Sequence, residues 1–491
     1  MSTLRFADTE LVFALVYPVG TNGAEVLTTL QDRIKRFGYD PILLHLSDYL
    51  LDLKMKLKLR GRLSASSEYE RIKTRMDLGN AARNKIKRGD FLALIAASQI
   101  LRKRTRDAID RPEPYKRKAH ILTSLKRPEE VKALRKIYGS GFFLIGVSAS
   151  LEARTKYLKD DKQMTTEVAS RLIERDLEEE KIEFGQRTRD TFYLADVFIQ
   201  LDEGGYKDHL QRFLNLVFGH PYETPTEDEH AMYLAQSASL RSAQLGRQVG
   251  ASITSKLGDV ISVGCNEVPK AGGGVYGPGD NDHRDHTKGE DSNDKRKLEI
   301  LKDAMERLGV KGSLGKAHKK MKESLLFDIT EFGRATHAEM EAMLACARNG
   351  VVPMGGTLYT TTFPCHNCTR HIIAAGIARV VYIEPYPKSR AQDLHEDAIS
   401  IDDGNSTADD TDSRVSFESF VGIGPRRYTD LFSTTLNSGD EIKRKFRGKT
   451  IEFKESGCSP RIPLPPASYL QREELAVNEI SAIVRRIRKG G

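Results

Sequence analysis

The chain has no tryptophan, only five cysteines in 491 residues, and no long apolar run. Each shortage excludes something. A helix that crosses a bilayer needs about 20 consecutive apolar residues, so a membrane protein is not expected. Cys265, Cys346, Cys365, Cys368 and Cys458 are too few, too uneven in spacing and odd in number for a disulfide framework. The close pair Cys365/Cys368 points instead to metal binding in a reducing compartment. The opening residues MSTLRFADTE show neither a basic stretch followed by an apolar one nor a small-residue cleavage site, and a cytoplasmic location is expected. Charge of one sign is also in short supply: 77 Lys and Arg against 69 Asp and Glu leave +8, a mild excess compatible with nucleotides or nucleic acid.

What is present is an ordinary globular composition, 39% hydrophobic and 30% charged, in a chain long enough for two domains. The run Leu11 to Tyr17, bounded by Pro18 and Gly20, predicts a buried parallel strand. A glycine-containing loop, Gly20, Thr21, Asn22 and Gly23, follows it, then a helix over 24–37 and a strand over 41–46. Further strands are predicted at 91–96, 142–147 and 191–199, separated by charged helical stretches such as 167–180. This alternation predicts an α/β class, with a parallel-sheet domain over residues 1–217.

The segment FGHPYETPTED, 218–228, reads as a boundary, and a second domain is expected over 229–491. It opens with a helix over 229–246 and a hairpin of 249–255 with 259–265. Two insertions follow: a glycine-rich, then charged one over 270–332 with a helix near 295–308, and an acidic one over 393–413. The basic end, 485–489, reads as a solvated helix face or tail.

Between the insertions, His337-Ala-Glu339 stands at the start of a predicted helix over 340–348. A strand over 357–363 then leads to Pro364-Cys365-His366-Asn367-Cys368 at the start of another helix. One His and two Cys fill three positions of a tetrahedral zinc site and leave the fourth for water, as a catalytic zinc requires. Zinc lowers the pKa of such a water towards neutrality, and Glu339, two residues along the helix from His337, is placed to carry protons beside the metal without ligating it. H-x-E followed by P-C-x-x-C is the known signature of zinc nucleobase deaminases. His366 reads as a bystander or a hydrogen-bond partner, and Cys265 and Cys346 as small core residues. His283 and His286, with Asp282 and Asp285, fit either a second metal site or a solvated polar loop, and the loop is the simpler reading.

Beyond the zinc motif, Arg247-Gln-Val-Gly-Ala251, Gly264-Cys-Asn266-Glu-Val-Pro269 and the stretch 372–386 resemble the deoxycytidylate deaminase branch of the cytidine deaminase superfamily. The resemblance implies a three-layer α/β/α domain whose mixed five-stranded sheet holds Zn2+ on two helix N-termini. It also implies an oligomer, and contact between Asn266 and the sugar. Cys265 and Glu267 replace the usual Tyr and Gly, and the insertion after Pro269 is longer than in a simple deoxycytidylate deaminase. Lys388 and Arg390, after the strand at 379–384, are candidates to neutralise substrate phosphates.

The whole chain, with a phosphate-loop-like domain before the deaminase, is similar to bacterial two-domain deoxycytidylate deaminases associated with phage defence. That similarity implies conversion of dCTP and dCMP to dUTP and dUMP, depletion of dCTP, and in some members restraint by a small RNA. Mg2+ would accompany a triphosphate. A phosphoryl-transfer loop needs Lys and then Ser or Thr at its end, where this chain has Ala24 and Glu25. The loop is therefore expected to be degenerate, serving an allosteric nucleotide or as scaffold. Two other classes compete: a deaminase acting on cytosine or adenine of RNA or single-stranded DNA, and a non-catalytic zinc-containing RNA-binding regulator. The absence of tryptophan speaks against the first and the intact Glu339 against the second.

Overall fold

A computed structural model describes residues 8–107, 114–179, 183–202, 204–279, 281–386, 389–401, 414–435, 441–464 and 466–489. The chain forms two compact units, Met1–Pro225 with Val421–Gly491, and Thr226–Phe420. The break near 225 falls inside the segment read as a boundary. The domain expected over 229–491 ends earlier, however, because the last 71 residues, 421–491, fold with the first unit. No composition shift marks this return, and long-range pairing alone produces it. Gly422–Ile423 adds antiparallel to a strand of the first sheet, the Arg461 amide donates to the Val217 carbonyl at 2.8 Å, and the helix Pro466–Lys489 buries Tyr469 and Glu473.

The first unit is built on strands β1 (Leu11–Val16), β2 (Asp40–His45), β3 (Lys118–Thr123), β4 (Phe142–Ser148) and β5 (Val197–Gln200). They run in parallel in the order β2-β3-β1-β4-β5, with Gly422–Ile423 on the β5 edge. Every residue of β1 is fully buried, as its unbroken apolar run requires of a central parallel strand. Two expectations fail. Residues 91–96 are not a strand but the start of a helix, Phe91–Asp107. The run FLALIAA is short and uniformly apolar, a pattern shared by buried strands and buried helices, and its Leu and Ala favour the helix. Residues 191–199 divide into the end of a helix, Thr188–Phe192, and the short strand β5. The strand β3, KAHILT, escaped the reading because its buried His120 and Thr123 break the apolar pattern.

Glu10, beside β1, lies at the centre of a buried ionic group. Arg104 donates to Glu10 through Nε at 3.1 Å and Nη2 at 2.9 Å, and it also pairs with Glu473. His120 Nε2 lies 3.1 Å from Glu10, while the Tyr469 and Tyr138 hydroxyls donate to Glu10 and Glu473 at 2.6 and 2.7 Å. All six residues are at most 1% exposed. Hydrogen bonds and charge from His120 and Arg104 outweigh the cost of burial and hold Glu10 down at about 2, whereas burial pushes the Glu473 carboxyl up. One guanidinium thus joins the terminal helix to the sheet.

The second unit has a mixed sheet of six strands, one more than the resemblance implies: β6 (Gly250–Thr254), β7 (Val260–Cys265), β8 (Thr357–Thr362), β9 (Arg379–Glu384), β10 (Ile399–Ile401) and β11 (Val415–Ser419). The order is β10-β11-β9-β8-β6-β7, with β6 antiparallel to both β7 and β8 and the remaining pairs parallel. Residues 402–413 of the acidic insertion lie outside the described residues. The helix Ser292–Arg307 answers the one expected in the first insertion, and a second helix, Leu314–Met321, follows it.

Two glycines set the layers. Gly250 pairs with Cys265 and Gly264 with Ala251, so the two glycines face opposite sides of the sheet. A Cβ on Gly250 would lie 1.9 Å from the Ala235 carbonyl oxygen in the helix Glu227–Ser239, and one on Gly264 would lie 2.3 Å from the Ala338 oxygen in the helix Ala338–Asn349. One helix therefore packs directly on each face, which is the expected three-layer arrangement. The approach at Gly264 presses the first turn of Ala338–Asn349 against β7 and so fixes where His337 and Glu339 stand.

Candidate metal centre and active site

His337 is the N-cap residue of the helix Ala338–Asn349, and Cys365 is the N-cap residue of the helix His366–Ala374. Each has extended backbone angles, with ψ of 156° and 164°, and neither side chain caps its own helix with a hydrogen bond. Cys368 follows one turn later, on the same side as Cys365. The two helix N-termini thus converge, and their partial positive charge favours thiolate.

The Sγ atoms of Cys365 and Cys368 each lie 3.3 Å from His337 Nδ1. All three donor atoms lie within 4.8 Å of one another, and among the described residues this is the group that qualifies as a metal site. Zn–S bonds of about 2.3 Å and Zn–N bonds of about 2.0–2.1 Å in tetrahedral geometry separate such donors by about 3.5 Å, so the set fits zinc. His283 and His286 join no such group: His283 packs on Tyr276, and His286 Nε2 lies 3.6 Å from Asp282. His366 is not among the donors, and its Nε2 lies 3.6 Å from Glu331. Cys265 and Cys346 are fully buried core residues, as expected.

Glu339 is 4% exposed, with Oε2 3.5 Å from Cys368 Sγ. Burial raises its pKa, bringing a carboxyl nearer the range in which it can both take and return a proton. Hydrogen bonding to Cys365 raises His337 to about 9. Hydrogen bonding from Cys368 lowers Cys365 to about 4, and the same contact pushes Cys368 well up.

From about pH 5 to pH 8 the metal-free site carries one proton on His337 and one on Cys368, both of which a metal ion must displace. Lower pH favours the protonated, metal-free form, and zinc affinity should fall by up to about 100-fold for each unit of acidification. Competition with a chromophoric chelator at several pH values measures the slope, and a flat profile would contradict the proton assignment.

The centre opens into a cavity of about 270 Å³, also lined by Arg247, Asn266, Phe363 and Tyr386, and by Asp285, Asn293 and Arg334 from the insertion and the residues after it. Asn266 reaches this cavity, but both ends of its carboxamide are engaged: Oδ1 accepts from the Val249 amide at 2.7 Å, and Nδ2 donates to the Arg247 carbonyl at 2.8 Å. In this state Asn266 braces the entry to β6. Arg390 does not line the cavity; it is exposed and paired with Asp393 at 2.8 Å. Lys388 lies outside the described residues.

The sequence reading missed two cavity cations. Arg247 lies 3.3 Å from Glu384 and over the Tyr386 ring, and Arg334 pairs with Asp285 at 2.8 Å. Arg334 stands three residues before His337, and that proximity was the available signal. The loop Gly20–Gly23 belongs to the other unit, between β1 and the helix Gly23–Arg36.

Comparison with known proteins gives the same region. Residues 225–384, which include His337, Glu339, Cys365 and Cys368, match the family model of the cytidine and deoxycytidylate deaminase zinc-binding region. ComE operon protein 2 of Bacillus subtilis (strain 168) is 46% identical over 66 residues, 13% of this chain and 35% of that protein. The deoxycytidylate deaminase of Enterobacteria phage T4 is 44% identical over 54 residues, 11% of this chain and 28% of that protein. The chain thus spans about a third of the length of these relatives. The dCMP deaminase of cyanophage S-TIM5, solved with dCMP and dUMP, is 16% identical with a TM-score of 0.24, covering 40% of this chain and all of that one. Residues 225–384 are thus similar to the zinc-binding region of cytidine and deoxycytidylate deaminases.

Proposed function

We propose that the protein hydrolytically deaminates a free deoxycytidine nucleotide, dCMP or dCTP, to the deoxyuridine nucleotide and ammonia. The observation that carries this reading is the buried Glu339 carboxylate 3.5 Å from Cys368 within a His337/Cys365/Cys368 donor set at the wall of a cavity. Zinc held there would supply Lewis acidity that makes water a nucleophile near neutral pH. Glu339 takes the two protons of the attacking water in turn, giving one to the ring nitrogen and the other to the departing amine. Water oxygen ends on C4 of the base, and the C4–N bond breaks with release of ammonia. Phe363 and Tyr386 line the cavity as aromatic surface for the base, and Arg247 and Arg334 line it as positive charge for a phosphate. Arg390, turned to Asp393, is not needed for that role in this arrangement, Lys388 stays a candidate for it, and Asn266 meets the sugar only if its backbone partners are exchanged.

We further propose, from the resemblance read in the sequence to two-domain phage-defence deaminases, depletion of dCTP, a homo-oligomer, a cytoplasmic location, Mg2+ carried with a triphosphate, and restraint by a small RNA. Purified protein incubated with dCTP, dCMP, cytidine and cytosine-containing oligonucleotides, with ammonia and uracil products followed, tests the central claim. Turnover of dCMP or dCTP is expected. Turnover confined to oligonucleotides would replace it with a nucleic-acid deaminase, and no turnover by the zinc-loaded protein would leave a binding role.

A further inference from the structure

Buried charge fastens the insertion over 270–332 to the rest of the second unit. Glu267, fully buried just after β7, exchanges backbone hydrogen bonds of 3.2 and 3.1 Å with Thr336, the residue before His337. Its Oε2 accepts from the Ala243 amide at 2.7 Å and lies 3.8 Å from Arg284 Nη1. Arg284, itself buried, also grips Asp282 through Nε at 2.9 Å and Nη2 at 2.6 Å. A cation from the insertion thus rests on a carboxylate anchored beside the metal centre.

The next residue, Asp285, uses its carboxylate differently. It is 4% exposed, and its two oxygens hold two side chains that line the active-site cavity: Oδ1 accepts from Arg334 Nη1 at 2.8 Å and Oδ2 from Gln244 Nε2 at 3.1 Å. Arg334 Nη2 also donates to the His283 carbonyl at 3.1 Å. A guanidinium fixed by two acceptors from one loop keeps one orientation, and the fork has further N–H groups for a ligand. Attachment of the insertion does not need this contact, because Arg284 with Asp282 and Glu267 already supplies it. A buried carboxylate must have its lone pairs filled, and those of Asp285 are filled by cavity groups.

We infer that Asp285 is a positioning residue for the substrate, holding Arg334 and Gln244 in the orientation in which they receive the nucleotide's phosphate. This rests on the reading of the cavity as a deoxycytidine nucleotide site. Electrostatics alone gives the opposite sign. Asp285 offsets the charge of Arg334, so its neutralisation would by charge alone draw a phosphate in more strongly. A guanidinium fork, however, binds phosphate by direction as well as charge, and one left to swing must be ordered anew by each ligand.

The sign is read with Asp285→Asn in the full-length, zinc-loaded protein. Calorimetric titration with dUMP and dUTP, which carry no amine to lose, measures binding apart from turnover, and steady-state kinetics with dCMP and dCTP give kcat and KM. Asp285→Asn is expected to weaken the tighter-binding product about tenfold and to raise KM for the matching substrate by a similar factor, with kcat within about twofold. Arg334→Lys keeps the charge without the fork and should do the same. Together the two substitutions should exceed either one by no more than about twofold, since they break one contact. Arg334 is partly exposed, so Arg334→Lys decides the question if Asp285→Asn does not fold. Asp282→Asn loosens the anchor of the insertion without touching Arg334 and should change product binding by less than about twofold. The inference is overturned if Asp285→Asn binds product as tightly as the parent or more tightly, if Asp282→Asn weakens binding as much, or if neither product binds the parent at about 1 mM. A parent protein that binds product but turns over neither substrate would remove the deaminase reading, while the loss in Asp285→Asn would still uphold the positioning role.

Discussion

Glu339→Gln is expected to lower the deamination rate by about 10²–10⁴-fold while the protein keeps its zinc, because the amide preserves shape but cannot accept and return a proton. The side chain is not one of the three donors, and its oxygen stands 3.5 Å from Cys368 Sγ, so metal uptake should not require its charge. Burial raises the Glu339 pKa, and an uncharged amide is if anything easier to bury than the carboxylate it replaces. The expected pattern is therefore a fall in kcat with little change in KM, alongside an unchanged zinc content by atomic absorption. A variant that turned over normally would remove Glu339 from the chemistry. One that lost zinc would make it a ligand.

The largest expected effect on stability lies in the first unit. Arg104 is the cation shared by Glu10 and Glu473, with all three side chains fully buried. Arg104→Met keeps the apolar stem but leaves two buried carboxylates without the guanidinium they share, with only His120 and the Tyr469 and Tyr138 hydroxyls beside them. Breaking a buried pair in this way costs about 3–5 kcal/mol. For a unit of this size that corresponds to a fall of about 10 °C in the midpoint of unfolding. The exposed pair of Arg307 with Asp303 provides the comparison, since Arg307→Met should leave the transition where it is. Differential scanning calorimetry of the two variants checks the contrast. An equal response in both would mean that the terminal helix is held by its apolar contacts alone.

Legibility from sequence varied with how local the information is. The helix starts at His337 and Cys365, the hairpin of β6 and β7, and the strand β9 were readable because turn residues, caps and period-2 patterns act within a few residues. The candidate donor set was readable for the same reason: its spacing is tied to two helix N-termini. Phe91–Asp107 was misread because an apolar run carries no period. Arg247 and Arg334 were missed as cavity cations because nothing in their immediate sequence says which cavity they enter. Arg390, chosen for its position after a strand, turned instead to Asp393, its neighbour three residues on.

The sequence by itself determined the donor set of the candidate metal centre, since His337, Cys365 and Cys368, the neighbouring Glu339 and the capping positions are all local properties of two short stretches. Tertiary structure alone decided where the chain divides, which cations reach the cavity, and that the last helix returns to the first unit. Those outcomes depend on pairings between residues hundreds of positions apart, such as Glu10 with Glu473 through Arg104. Their free energy comes from shared burial, which no local pattern encodes.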